Sequence, residues 1–360
     1  MRHEERAMSD HSRLTDNLPY LTAEVPGIAG RIRATPEDFH VEERPLYLPC
    51  GEGEHLYLRI TKRGMSTPQL VSYLSARFGI KARCIGVAGL KDAKAVTTQM
   101  VSLQGIAPET IARSQLDARI LSVEVLGRHG NRLRTGHHAG NVFRLVIGGV
   151  LPSAPESVPV ILDELSRRGI PNFFGPQRQG REGLNYSIGA ALLTDAPRRA
   201  RMPKSKRLWY LHAYQSFLFN NILARRINRI DRVLVGDWAM KHDNGACFPV
   251  EDAAKEQRRA DGFEISPTGP LFGSRAPWAT GEPGAVERAA VTELGATPES
   301  LCQAASACRF RGERRSLRVR LEELNWSLKN DQLTLCFTLP PGAYATSVLR
   351  ELMKSERRKA

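Results

Sequence analysis

A chain of 360 residues, 41% of them hydrophobic, is long enough to bury one large core or two of ordinary size, which excludes disorder as its general state. Lys and Arg number 52 against 38 Asp and Glu, a formal net charge of +14 that suits a polyanionic partner, either nucleic acid or an anionic membrane surface. No uninterrupted apolar stretch approaches the ~20 residues of a spanning helix, and residues 1–10 lack the apolar centre of a secretion signal, so a soluble, cytoplasmic protein without a membrane partner is expected.

Residues 56–60 read as the first strand. Ser66 and Thr67 followed by Pro68 look like a helix start, and Leu70, Val71, Leu74 and Phe78 give that helix one apolar face, an ordinary packing surface. Strands follow at 100–103, 121–126 and 142–147, by alternation or β-branched content. After Gly169 the chain changes character. Pro/Gly-rich joints lead to a basic stretch at 195–207, which reads equally as a solvated linker or as an RNA contact. A long helix over 209–227 carries Tyr210, Tyr214, Phe217, Leu218 and Ile222 at helical spacing, a pattern that favours core over an aromatic RNA platform. A loop-rich region is expected at 266–283, and strands resume at 317–321 and 333–339. The pattern predicts a domain over 167–313 inserted into a first domain formed by 1–166 and 314–360.

The six cysteines, at 50, 84, 247, 302, 308 and 336, form no C-x-x-C pair and are expected to be reduced. Cys302 and Cys308 have no histidine nearby, and the side chains of His137 and His138 diverge on either a strand or a helix, so no metal site is expected. Between Leu126 and Arg144 three histidines and four arginines stand without an acid. Such a run is usually a solvated face, but here phosphate contact is the favoured reading.

The run GVAGLKDAKAVTTQ at 86–99 places one carboxylate, Asp92, between Lys91 and Lys94 on a turn supported by Gly86 and Gly89. Glycines permit tight or positive-φ backbone and close approach of a bulky ligand, and neighbouring cations favour the ionised acid. That suits a nucleophile or general base. The same spacing also occurs in turns whose aspartate only bonds local backbone N–H groups.

The run resembles the catalytic motif of the TruD family of tRNA pseudouridine synthases, and further segments fall in the family's order from about Ile32 to Met353. PEDFHVEE (36–43) is similar to the N-terminal signature, and GEGEHLYLRI (51–60) to the loop and strand after it. RHGNRLRTG (128–136) with GNVF (140–143) resembles the second active-site segment. GIPNFFGPQR (169–178) and GLN (183–185) look like the opening of the inserted domain, and FTLPPGAYATSVLREL (337–352) like the C-terminal signature. Arg33 stands where many relatives carry lysine, which keeps the charge and changes the geometry, and residues between the shared positions of 177–185 also differ.

The resemblance implies an α+β protein: a pseudouridine synthase core with a mixed, mostly antiparallel sheet, interrupted by an inserted α/β domain. It implies a monomer that acts on tRNA, at uridine 13 of the D arm, without cofactor or metal. Asp92 would be the catalytic carboxylate, acting by attack on the ribose carbon or the base, or by proton abstraction from the sugar. Phe39, Asn141, Phe143 and Phe337 would hold the flipped uridine, and Arg33 and Lys91 would be charge partners at the site. Tyr344 and Arg350 would line or support it. Without the resemblance each has an ordinary reading: strand phenylalanines as core, Asn141 as a turn residue, Arg33 and Lys91 as surface charges. The alternative function is a noncatalytic RNA-binding or RNA-folding protein using the same basic cleft. A phosphate-binding nucleotide enzyme lacks its G-x-x-x-x-G-K-S/T loop.

Overall fold

The computed structural model describes residues 18–180 and 183–354, apart from the side chains of residues 176, 198 and 199. These fall into two compact units, one formed by Gly27–Pro159, Leu321–Ala345 and the described residues from Leu352, the other by the described residues up to Pro26, Val160–Arg320 and Thr346–Glu351.

In chain order the first unit lays down β1 (Arg31–Ile32), β2 (Phe39–Pro45), β3 (His55–Arg63), β4 (Ile85–Val87), β5 (Val96–Gln104), β6 (Ile120–His129) and β7 (His138–Gly148). The second unit contributes β8 (Ile170–Pro171), β9 (Trp238–Lys241), β10 (Cys247–Pro249), β11 (Ile265–Leu271), β12 (Glu313–Ser316) and β13 (Arg318–Val319). The chain then returns to the first unit with β14 (Glu322–Lys329) and β15 (Gln332–Leu339). Nine strands of the first unit form one sheet in the order β14-β15-β7-β2-β5-β3-β6, with β1 on β7 and β4 on β5. Only the β2–β5 pair is parallel. The mixed, mostly antiparallel α+β architecture expected from the sequence is therefore present.

Side-chain alternation sorts this sheet. Val41 stands opposite Phe143, Glu43 opposite Asn141, and Phe337 opposite Phe143. Across the parallel pair Val41 is level with Thr97, and Lys62 opposes Thr97 from β3. One face thus carries Phe39, Val41, Glu43, Asn141, Phe143, Phe337, Thr97, Gln99 and Lys62, an apolar surface with a buried polar band. The helix Thr67–Phe78 covers its β3 side, with Leu70 and Leu74 buried against Leu58, Ile60 and Val101. Ser66 caps that helix, exchanging backbone and side-chain bonds with Gln69, and Gly79 closes it at φ 65°.

The second unit packs the helix Lys204–Arg226 at its centre, with Leu211, Tyr214, Phe217 and Leu218 buried in one apolar cluster, as the sequence spacing indicated. The helix begins five residues earlier than expected, directly after Pro203. The basic stretch is correspondingly not a linker: it forms the short helix Ala196–Arg201 and the first turn of Lys204–Arg226.

Two further expectations are corrected. The region at 266–283 contains β11, a fully buried strand that carries Pro267 and Pro270. Prolines normally confine a strand to an edge because they lack the N–H. Here Ile265–Pro267 pair with β9, and Thr268–Leu271 with β12. The Pro267 carbonyl accepts from Leu317 N, and Leu317's own carbonyl, which a proline could not serve, accepts from Asn172 N instead. The same switch of partners interrupts the strand expected at 317–321, of which only Arg318–Val319 form a strand, β13, between the end of β12 at Ser316 and the start of β14 at Glu322.

Part of the positive charge is structural. Arg314 pairs with Glu287 at 2.7 Å and Arg226 with Asp237 at 2.9 Å, all four side chains buried, and Arg318 spends its guanidinium on Ser266 and two backbone carbonyls. No helix of the described residues is long and apolar enough to cross a membrane.

Candidate active site

The turn between β4 and β5 carries Asp92. Its glycines serve close packing, since neither Gly86 nor Gly89 has positive φ. A Cβ at Gly86 would lie 2.4 Å from the Leu133 carbonyl oxygen and from Ser102 Oγ, and one at Gly89 would lie 3.2 Å from Lys91 Nζ. At Gly86 the turn can lie down on the sheet only because no side chain is present, and at Gly89 the fit is tight.

Lys91 does not flank Asp92 in space as it does in sequence. Its side chain, 5% exposed, turns inward and places Nζ 2.8 Å from Glu43 Oε2 and 2.7 Å from Asn141 Oδ1. Its backbone N–H donates to Thr67 Oγ1 at 2.8 Å, and Thr67 donates in turn to Gln99 Oε1. The second Glu43 oxygen accepts from Met100 N, beyond the last β2–β5 pair, so the carboxylate continues a ladder that the β2 backbone has left. Lys91 is therefore the hub of a buried network that fixes the Asp92 turn to β2, β7 and the start of the Thr67–Phe78 helix.

Asp92 points the other way, with a side chain 57% exposed. Its cationic partner is Arg33, whose Nη2 lies 2.7 Å from Oδ2. Arg33 has a left-handed backbone, φ 58°, and its guanidinium lies 4.0 Å from the Phe39 ring centroid, a cation–π contact that holds the fork in place. Of the two residues expected as charge partners at the site, Arg33 meets Asp92 across 59 residues, while Lys91, its sequence neighbour, pairs with Glu43.

Phe143 and Phe337 stack at 5.5 Å between centroids, and Phe39 meets Phe143 edge-on at 6.4 Å. All three rings and Asn141 are buried, Phe337 completely. The four residues expected around a uridine thus lie together on one sheet face with Lys91, and Arg33 bridges that face to Asp92. Arg350 belongs elsewhere: it lies over Tyr20 and bonds the Pro19 carbonyl and Glu351, a packing role in the second unit.

Sequence reasoning missed two members. Glu43 carried a signal, because Phe39, Val41 and Glu43 alternate onto one buried face and a buried acid requires a cation. Lys62 carried none. It is fully buried, with Nζ bonded to Met65 O and Thr97 Oγ1, and burial lowers its pKa to about 8, with Lys91 adding to the effect and Asp92 opposing it.

His137 and His138 diverge: His137 Nδ1 meets Tyr47 Oη at 2.8 Å, while His138 Cε1 lies on the Gly89 side, near the Lys91 hub. Burial and then Lys91 hold the His138 pKa below the ordinary imidazole value. Two of the four nearby arginines are engaged by backbone, Arg128 with the Gly53 and Ile106 carbonyls and Arg132 with that of Arg83. Among the described residues no group of three or more His, Cys, Asp or Glu is placed to hold a metal ion.

The sequence matches the family model of tRNA pseudouridine synthase D (TruD) over residues 16–203 and 199–352. It is 42% identical to the tRNA pseudouridine synthase D of Geobacter sulfurreducens, over 93% of this chain and 96% of that protein. It is 41% identical to that of Thermus thermophilus, over 95% of this chain and 93% of that protein. Among solved structures, a Methanosarcina mazei protein assigned as a tRNA pseudouridine synthase D aligns with a TM-score of 0.80 and 25% identity, covering 96% of this chain and 98% of that one.

Proposed function

This chain belongs to the TruD family of tRNA pseudouridine synthases, and on that footing we propose that it converts uridine 13 in the D arm of tRNA to pseudouridine with Asp92 as its catalytic carboxylate. The observation that carries the residue assignment is the Arg33–Asp92 contact beside the aromatic cluster: an exposed acid, held through one oxygen at 2.7 Å, next to a face of stacked rings.

The reaction breaks the N1–C1′ bond of uridine, turns the detached base and joins C5 to C1′; the C5 hydrogen leaves as a proton and N1 takes one up. Atoms and electrons balance within the nucleotide, so no oxidant, nucleotide or metal is called for. Arg33 engages Oδ2, which leaves Oδ1 of Asp92 to meet the sugar or the base. The ring cluster gives a base taken out of its stack an aromatic surface at Phe39 and Phe143, with the fully buried Phe337 stacked behind Phe143, and Asn141, oriented by Lys91, offers an amide that can bond its edge.

Binding draws on the basic surface, so affinity for tRNA falls steeply with salt while the chemical step does not. The test is tritium release from C5-labelled uridine in unmodified tRNA, followed by mapping of the product. Pseudouridine at position 13 supports the assignment, and release from another uridine moves the target. The rival reading, RNA binding or folding without chemistry, gains support if neither wild type nor Asp92→Asn releases tritium while both are folded and bind tRNA tightly.

A further inference from the structure

Leu90 is 77% exposed, the most exposed of the large apolar side chains among the described residues. Single exposed leucines are ordinary on protein surfaces. This one differs in how it is held. On its N-terminal side Ala88 is completely buried and its carbonyl accepts from Gly136 N at 2.8 Å. On its C-terminal side Lys91 is fixed three times, through its N–H to Thr67 and through Nζ to Glu43 and Asn141. Between these anchors Gly89 lies against Lys91 Nζ and Glu43. Leu90 cannot fold inward without dismantling a buried ion pair, so the turn holds it in solvent.

Its position is next to the proposed chemistry. Only Lys91 separates it from Asp92, which places the Cα atoms of Leu90 and Asp92 within about 7 Å. The outward surface of the turn is Leu90, Asp92, Ala93 and Lys94: a branched apolar group, a carboxylate, a small residue and a cation. A base that must rearrange has to leave its stack, and the gap it leaves is apolar on both faces. Leucine inserted between base steps is a recurrent way to hold such a gap open.

Building on the tRNA pseudouridine synthase reading, we propose that Leu90 is an apolar wedge that enters the RNA stack as the target uridine is drawn out towards Asp92. Lys94 on the same turn provides the charge that meets the adjoining phosphate. The role requires shape and hydrophobicity, so methionine can replace leucine and alanine cannot.

The test is single-turnover tritium release at saturating enzyme, on unmodified tRNA and on the same tRNA carrying an abasic site opposite the target uridine. Leu90→Ala is expected to lower the rate on ordinary tRNA by about tenfold, with tRNA affinity within roughly twofold of wild type, while Leu90→Met stays within about threefold. On the abasic substrate, where pairing no longer holds the uridine, the Leu90→Ala defect is expected to shrink. Wild-type rates for Leu90→Ala on ordinary tRNA overturn the wedge, and so does an equal loss on both substrates, which would make Leu90 a support of the turn. No release by wild type itself defeats the enzyme reading and the wedge with it.

Discussion

Lys91 and Asp92 are consecutive residues with opposite surroundings: the lysine side chain is 5% exposed and paired with Glu43, the aspartate 57% exposed and paired with Arg33. The inward cation anchors the turn, and the outward anion is what the anchored turn presents. Two ion pairs therefore divide the work of one motif, and substitutions in them have different consequences.

Breaking the inner pair leaves a buried charge without its partner, a change that commonly costs about 3–5 kcal/mol. Glu43→Gln and Lys91→Met are each expected to destabilise the protein on that scale. The double variant should lose less than the sum, because neither charge is then stranded. Urea unfolding of the four proteins measures the coupling; additive losses would mean that the pair is not a unit.

The outer pair is solvent-exposed and contributes little to stability. Its loss should appear in the rate. Arg33→Ala removes a charge-assisted hydrogen bond, and a decrease in kcat of about tenfold to a hundredfold is expected with little change in unfolding midpoint. Arg33→Lys keeps the charge but loses the fork and the Phe39 contact, so an intermediate rate is expected. Steady-state kinetics on unmodified tRNA decides both.

How much of this was legible in the sequence depends on the range of the interactions. The Thr67–Phe78 helix was readable because its cap, proline and apolar spacing are all local. The aromatic face was named through the family resemblance alone, since no strand was expected at 39–45 and the register of β2 and β15 on β7 is a long-range property. Arg33 was named as a charge partner only through the resemblance, since nothing local says which cation 59 residues away meets an acid. The buried strand Ile265–Leu271 was hidden by its prolines, which are tolerated only because the strand changes partner and Asn172 takes over a bond. Glu43 could have been found by asking what an acid does on a buried face.

Lys62 makes stability depend on pH in the alkaline range. Its folded pKa is about 8, below the ordinary lysine value of 10.5. Below pH 8 both states hold the proton and the cost of burying the ammonium is fully present. Between about pH 8 and 10 the unfolded chain keeps a proton that the folded protein has released, so stability rises with pH. Relative to Lys62→Met, which lacks this group, the wild type should gain stability across that interval. Urea midpoints at about pH 7, 8, 9 and 10 test it, and a constant difference between the two proteins would refute it.

Phe143 and Phe337 are buried as well as placed at the site, so alanine variants mix two effects, since emptying such a position costs about 3–5 kcal/mol. Leucine retains most of the volume and removes the ring face. Phe143→Leu is expected to lower turnover more than tRNA affinity, while the protein remains folded at the assay temperature. An unchanged turnover would remove Phe143 from the base pocket.

The central claim is that the Asp92 carboxylate carries out the isomerisation, and tritium release from C5-labelled uridine in unmodified tRNA, compared between wild type and Asp92→Asn, tests it most directly. The two side chains are nearly isosteric and the position is exposed, so fold and tRNA affinity should be preserved. Release by wild type alone, with equal tRNA binding by both, is the predicted result. Release by Asp92→Asn at the wild-type rate would contradict it.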